Sequence, residues 1–210
     1  MERNEYRWYR LDNAAILFPA VSNRDNANVF RISVILREKV ESALLQEALL
    51  ATIQKFPSFQ VKMRKGVFWR YLEYNGAKPT VQKEEDTPCA RLHEKENDGY
   101  LFRVTYFEKK ISLEVFHTIA DGNGAVAFLR TLTLEYLKRV HPEQIPADAD
   151  IAELTDSSRR KTEDSYMVNY DPKQKKRTRV SRAYFLRRIL RSFRGQCQSG
   201  NYCIAPKNIK

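Results

Sequence analysis

A histidine, an aspartate and a glycine stand at a spacing that suits proton-transfer chemistry. His117, Asp121 and Gly122 form the pattern H-x-x-x-D-G within the segment Val115–Gly124. A neutral imidazole can take a proton from a hydroxyl, amine or thiol while that atom attacks a carbonyl carbon, and histidine suits the step because its pKa lies near neutrality. No covalent intermediate is needed, so no serine or cysteine nucleophile has to be found. His117 is therefore the candidate general base.

The other two residues of the pattern are better suited to shaping the turn than to touching a substrate. Asp121 can accept backbone N–H bonds at the start of a helix and can pair with a basic residue on a strand. Gly122 lets the chain bend sharply where a side chain would obstruct it. Two plainer interpretations compete: a buried histidine satisfied by a backbone carbonyl for His117, and a helix N-cap for Asp121, which we favour in either case.

The pattern lies between a predicted strand and a predicted helix. Leu101–Phe107 and Ile111–Phe116 predict a hairpin with a short charged turn, and its second strand ends at His117. A helix with an apolar stripe follows and ends at His141-Pro142. The candidate base should therefore stand at a strand-to-helix junction.

The upstream segments predict the rest of the sheet. Asn28–Leu36 alternates as a strand does, and residues 39–55 have the spacing of an amphipathic helix that Pro57 stops. Two strand-like pieces follow between Phe59 and Val81, the second ended by Pro79. The order β-α-β-β-β-β-α predicts an α/β (α+β) sandwich with a mixed, mostly antiparallel sheet and helices packed on one face.

The positive charge is confined to the end of the chain. Residues 173–210 hold 12 of the 37 basic residues and no acidic ones, so residues 1–172 carry 25 basic against 26 acidic residues. A folded nucleic-acid-binding domain needs a basic face of its own. We therefore expect no specific nucleic-acid partner for the body of the chain.

Cysteine content and hydropathy bear on location and on metal binding. The three cysteines form an odd, sparse set that suits a reducing compartment, and no spacing of cysteine and histidine matches a metal site. No run of about 18 apolar residues occurs, and the N-terminus lacks the apolar core of a signal peptide. A cytoplasmic protein without a bound metal is the expectation.

The segment His117–Gly122 resembles the active-site motif of CoA-dependent acyltransferases of the chloramphenicol-acetyltransferase and condensation-domain superfamily. Other stretches resemble its alcohol-acetyltransferase-like branch: Trp8–Ala15 its opening, Phe56–Phe59 the turn after the first helix, and Phe68–Glu73 the next strand. The similarity runs over about residues 6–140. It implies a chloramphenicol-acetyltransferase-like fold.

The resemblance also implies roles for individual residues. His117 would be the general base, and Asp121 and Gly122 would be structural at the active site. In condensation domains an arginine on an early strand pairs with the aspartate. The matching position here is Gln60, so the candidates for the partner of Asp121 are Gln60 and, two and four residues later, Lys62 and Arg64, with a solvated strand face as the equal alternative. Acyl-CoA, such as acetyl-CoA, would be a co-substrate rather than a tightly bound cofactor, and a hydroxyl or amine would be the acceptor.

Chain length sets the expected domain organisation. Two-domain members of the superfamily are about twice as long, and their second half supplies part of the CoA site. We expect residues 1–142 to form the N-terminal acyltransferase-like domain, 143–175 a polar linker and 176–210 a basic tail. Because Arg182–Leu186 resembles the first strand of the second half, the tail can be the truncated start of that half. The chain is then a weakly active or inactive half that needs self-association or the missing C-terminal half.

Two alternatives remain open at this level. The chain can be a non-catalytic module that binds acyl-CoA or another small ligand without turnover. It can also bind polyanions or an anionic membrane surface through residues 173–210, although such a tail is more often simply solvated. Salt-sensitive binding that disappears with the tail would identify the latter.

Overall fold

The computed structural model describes residues 8–9, 18–19, 22, 27–66, 70–85, 87–92 and 97–150. All of them belong to residues 1–170, the first of two units into which the chain divides. The predicted basic tail and most of the predicted linker lie outside the described residues, so the domain boundaries stay predictions. Phe68 and Trp69, in the segment Phe68–Glu73 that resembles a family strand, also lie outside the described residues.

Seven strands, two helices and one 3-10 turn are described. In chain order they are β1 (Trp8–Tyr9), β2 (Val29–Ile35), α1 (Ser42–Ile53), the 3-10 turn Pro57–Phe59, β3 (Val61–Lys65), β4 (Arg70–Tyr74), β5 (Val81–Lys83), β6 (Phe102–Phe107), β7 (Lys110–Phe116) and α2 (Gly122–Val140). The predicted hairpin is β6–β7, and the predicted helices are α1 and α2.

Two sheets form among the described residues. The larger has the order β2-β7-β6-β5, with β7 antiparallel to both neighbours and β5 parallel to β6. The smaller is antiparallel, with the order β1-β4-β3. The mixed, mostly antiparallel arrangement confirms the predicted fold class.

Strand β5 corrects the predicted element order. Five strands separate the helices instead of four, because a strand begins at Val81, just after the proline expected to end the preceding piece. Three residues are too few to show an alternation. Its pairing with β6 and the bond from the Val81 N–H to the side chain of Gln46 are contacts between distant parts of the chain.

Both helices pack on one face of the larger sheet. Leu45 and Leu49 of α1, and Phe128 and Leu132 of α2, are fully buried against apolar strand residues. Burying a side chain of this size contributes about 1.5–3 kcal/mol. The Glu41 N–H, just before α1, donates to the hydroxyl of Tyr136 at 2.9 Å, which joins the start of one helix to the other.

The second face of the larger sheet carries three rows of side chains across β2, β7 and β6. The strand register gives a charged row, Arg31–Glu114–Arg103, then a hydroxyl row, Ser33–Ser112–Thr105, and then Ile35–Lys110–Phe107. Glu114 and Ser112 are fully buried, whereas Ile35 and Phe107 are among the most exposed large apolar residues described. The sequence pattern had not suggested a buried polar face.

Candidate active site

His117 follows the last residue of β7 directly. Its backbone N–H donates to the carbonyl of Asn28 at 3.0 Å, which continues the pairing of β7 with β2 by one residue. The chain then turns, with the N–H of Ile119 donating to the carbonyl of Phe116 at 3.1 Å. The side chain of His117 is exposed. This position at a strand end leaves the imidazole accessible to a substrate.

Two phenyl rings contact the imidazole of His117. The ring of Phe18 stacks on it with a centroid distance of 4.5 Å and an interplanar angle of 11°. The ring of Phe30 lies at 5.0 Å, tilted by 54°. This exposed, stacked imidazole differs from the buried histidine of the plainer interpretation. Aromatic contacts of this kind favour defined ring orientations.

Asp121 caps α2. Its Oδ1 accepts a hydrogen bond from the Gly124 N–H at 2.8 Å, and its backbone carbonyl accepts the first helical bond from Ala125. A side-chain acceptor at this position satisfies an N–H group that the helix itself leaves unpaired. The cap therefore fixes where the helix begins, four residues after His117.

The physical reason expected for Gly122 is wrong. A Cβ placed there meets no atom of the described residues within 4 Å, and its φ is not in the left-handed region. Gly122 is exposed at the first turn of α2. What distinguishes the position is open space beside the helix N-terminus rather than a steric requirement for glycine.

The three predicted partners of Asp121 contact other residues. Lys62 Nζ lies 3.5 Å and Arg64 Nε 2.9 Å from a carboxylate oxygen of Glu73, on the neighbouring strand β4. The hydrogen bond from Arg64, assisted by the charge of Lys62, lowers the pKa of Glu73. Gln60 bonds through its backbone to Pro57 and Asn75. Pairing of any of the three with Asp121 stays a prediction.

A buried ion cluster on the second face was missed at the sequence level. The carboxylate of Glu114 accepts hydrogen bonds from Arg31 Nε at 2.8 Å, from Arg103 at 3.0 and 2.7 Å, and from the backbone N–H of Cys89 at 2.7 Å. Arg31 Nη2 forms a further ion pair with it at 2.7 Å. Charged residues inside otherwise apolar strands are the signal that could have revealed it.

Glu84 extends this cluster over the hydroxyl row. It contacts Arg31 Nη1 at 2.7 Å and Lys110 Nζ at 3.0 Å. Desolvation raises the pKa of Glu84, but the hydrogen bonds from Arg31 and Lys110 outweigh it, so the pKa lies below its ordinary value. The cluster joins β2, β7, β6 and the segment after β5. It ties β7, the strand that ends just before His117, to both of its neighbours.

The part of the chain that the structure describes contains neither a cluster of metal-ligand side chains nor a helix able to span a membrane. No group of three or more histidine, cysteine, aspartate or glutamate side chains there could hold a metal ion. No helix among those same residues is long and apolar enough to cross a membrane.

Comparison with known proteins yields structural neighbours only. Neither a protein-family model nor a curated protein matches the sequence. The starter condensation domain of rhizomide synthetase RzmA superposes with a TM-score of 0.54 at 13% identity, over 73% of this chain and 44% of that one. A mutant of that domain in complex with C8-CoA gives 0.55 at 13% identity, over 77% and 42%.

A third neighbour comes from a different synthetase. The first condensation domain of the calcium-dependent antibiotic synthetase, in complex with a substrate analogue, gives a TM-score of 0.51 at 15% identity, over 68% of this chain and 40% of that one. At such identities the likeness shows the fold alone, which is that of the condensation domains. The chain spans less than half the length of these solved chains.

Proposed function

We propose that the chain is part of a CoA-dependent acyltransferase in which His117 is the general base. The observation that carries the proposal is the placement of His117: an exposed, stacked imidazole at the end of a central strand, followed by a capped helix, within a condensation-domain fold. General bases need this combination of access and fixed orientation. The alcohol-acetyltransferase-like branch is the proposed relative, with a hydroxyl or amine as acceptor.

The proposed reaction transfers an acyl group from the CoA sulfur to the acceptor. His117 takes the proton of the acceptor's O–H or N–H as that atom bonds to the thioester carbonyl carbon. The tetrahedral intermediate then loses its C–S bond, and the sulfur leaves with the bonding electrons. The imidazolium returns the proton to the sulfur. An ester or amide and free CoA result, and the neutral imidazole is restored.

The neighbouring residues would support this step without taking part in it. Asp121 would hold the strand-to-helix turn through its cap, and the open space at Gly122 would leave room for the thioester. In the assembled enzyme, the side chain of Lys62, Arg64 or Gln60 would move to pair with Asp121. Acyl-CoA as the co-substrate is suggested by the neighbour that was solved with C8-CoA.

The proposed site is completed by a second half. Because the chain spans less than half the length of its neighbours, we expect little turnover from it alone. Self-association or a separate C-terminal half would supply the rest of the CoA site. The cytoplasm is the proposed location.

The test measures product rather than thiol release, because the chain has cysteines of its own. Acetyl-CoA and octanoyl-CoA are incubated with a panel of alcohols and amines, with the chain alone and with a condensation-domain C-terminal half added, and the acylated products are quantified by mass spectrometry. His117→Ala should abolish product. His141→Ala is the matched control, because His141 caps the far end of α2 and contacts Glu38 at 3.7 Å.

Three outcomes would contradict the proposal in different ways. If His117→Ala formed as much product as the native chain, His117 would not be the general base. Calorimetric binding of acyl-CoA without product under any condition would favour a non-catalytic module. Salt-sensitive binding to nucleic acid or anionic vesicles that deletion of residues 173–210 abolishes, in a protein without acyl transfer, would favour the basic tail as the functional element.

A further inference from the structure

Asn28 is hydrogen-bonded to the backbone of His117 and also to Phe18, whose ring stacks on the His117 imidazole. Its carbonyl accepts the His117 N–H at 3.0 Å. Its side-chain Nδ2 donates to the carbonyl of Phe18 at 3.2 Å and to Ser22 Oγ at 2.8 Å. One residue therefore connects the candidate base to the segment that supplies its stacking partner.

Among the described residues, three groups donate hydrogen bonds to the carbonyl of Phe18. Besides Asn28, it accepts from the backbone N–H of Ser22 at 3.0 Å and from the hydroxyl of Ser22 at 2.9 Å. These bonds hold the backbone of Phe18 at the position from which its ring stacks on the imidazole, 11° from parallel. Loss of the Asn28 amide would remove two of the bonds that link this turn to the start of β2 and would leave the longer bond from the Ser22 hydroxyl to the Ala27 carbonyl, at 3.5 Å.

The backbone at Asn28 also favours its residue type. Its φ is 52°, in the left-handed region, where asparagine is tolerated far better than most residues. The position therefore sets two requirements: a residue that adopts this φ, and a side chain that donates two hydrogen bonds. Asparagine meets both requirements, and glycine meets only the first.

We propose that Asn28 is a positioning residue, which fixes the plane of the His117 imidazole by holding Phe18 against it. This inference rests on the proposed function of His117. A base works best when its ring is held within about 10–20° of the productive orientation. Stacking against a fixed phenyl ring restricts rotation about the bond to the imidazole, so that the same ring nitrogen stays directed at the acceptor.

Nuclear magnetic resonance tests the positioning independently of activity. A stacked phenyl ring shifts the Cε1 proton of His117 upfield, and His117→Ala assigns that signal among the three histidines. Asn28→Gly keeps the left-handed backbone accessible and removes the amide, and Phe18→Leu removes the ring. Both should move the signal toward the position of a free histidine, whereas Phe18→Tyr should preserve it.

Two control variants separate positioning from general effects on the fold. Glu108→Gly makes the same kind of change at another left-handed residue, with φ 49°, in the β6–β7 turn. Phe107→Leu removes an exposed phenyl ring from the far end of the sheet. Neither should move the His117 signal.

In protein active with its second half, Asn28→Gly and Phe18→Leu should lower kcat about tenfold, because a misoriented base reacts more slowly, and should leave KM for acyl-CoA unchanged. Phe18→Tyr, which keeps an aromatic ring at this position, should retain the native kcat. An unchanged His117 signal in Phe18→Leu, which leaves the backbone bonds in place, would overturn the positioning role even if Asn28→Gly failed to fold. A shifted signal in a protein that never transfers acyl groups would support the geometry and refute only the proposed function.

Discussion

The fully buried carboxylate of Glu114 accepts a hydrogen bond from Arg31 Nε at 2.8 Å, and Arg31 Nη2 forms an ion pair with the same oxygen at 2.7 Å. The same carboxylate binds Arg103 on its other side. A buried charge is tolerated only when it is paired and hydrogen-bonded, and removing one partner leaves an uncompensated charge behind. Stability should therefore depend strongly on this one carboxylate.

Replacement of Glu114 by glutamine should lower the free energy of unfolding by about 3 kcal/mol, because two guanidinium groups then face a neutral amide. Denaturant unfolding followed by circular dichroism measures the change. Glu85→Gln is the control, since Glu85 is exposed on the segment beside the cluster. Equal midpoints for the two variants would contradict the role of the buried pair.

Stability should fall on acidification below about pH 4.5. The pKa of Glu84 lies below its ordinary value of 4.5. Desolvation also raises the pKa of Glu135, but bonds from Arg139, Lys55 and Lys138 bring it below the same value. Both carboxylates are more acidic in the folded state, so their stabilisation is present above pH 4.5 and is lost as pH falls through the folded pKa values.

Unfolding midpoints measured at pH 6, 4 and 3 would test this acid dependence. The double variant Glu84→Gln and Glu135→Gln should be less stable at pH 6 and should lose less stability on acidification. Parallel acid profiles for the variant and the native chain would show that other carboxylates dominate.

The cap on α2 should contribute about 1 kcal/mol, which Asp121→Ala would remove. The side chain is exposed, so the loss arises from the unpaired Gly124 N–H rather than from packing. Asp121→Asn keeps an acceptor oxygen and should retain most of the stability. Hydrogen exchange at Gly124 reads the cap directly, and protection that survives in Asp121→Ala would argue against it.

Tyr100 should make the fold sensitive to alkali. Desolvation raises the pKa of its hydroxyl to about 12, and the group donates to the carbonyl of Ala77 at 2.5 Å. Because the folded pKa exceeds the ordinary value of 10, this contribution is complete below pH 10 and is lost as pH rises toward 12.

Tyr100→Phe should cost about 1 kcal/mol at neutral pH and should lessen the alkaline loss of stability. Unfolding at neutral pH and at pH 11, together with tyrosinate absorbance, follows both effects. Tyr71→Phe serves as the comparison, because that side chain, on β4, is only partly buried. If both variants lost stability equally at high pH, the Tyr100 hydroxyl would not be the sensitive group.

The sequence predicted the strand-to-helix junction well because its signals are local. The alternation before His117, the capping residue Asp121 and the apolar stripe of α2 all lie within one short stretch. The hairpin β6–β7 was recognisable for the same reason. Local patterns of this kind survive folding because each element already matches its surroundings.

The features that were missed depend on contacts between distant segments. Arg31 and Glu114 are 83 positions apart, and only the register of β2 on β7 brings them together. Strand β5 exists because β6 is beside it. The stacking of Phe18 on His117 likewise joins separate segments. No periodicity within one segment could have indicated these relationships.

The charged row on the second face of the sheet fixes the register of β7 against β2 and β6. A slip of this strand by two residues would keep every apolar side chain on the correct face, so the core alone would oppose it weakly. The same slip would place both arginines opposite Ser112 or Phe116 and would leave the Glu114 carboxylate opposite uncharged residues. It would also displace His117 by about 7 Å along the sheet. The buried ion cluster therefore determines where the imidazole of His117 lies at the end of the sheet.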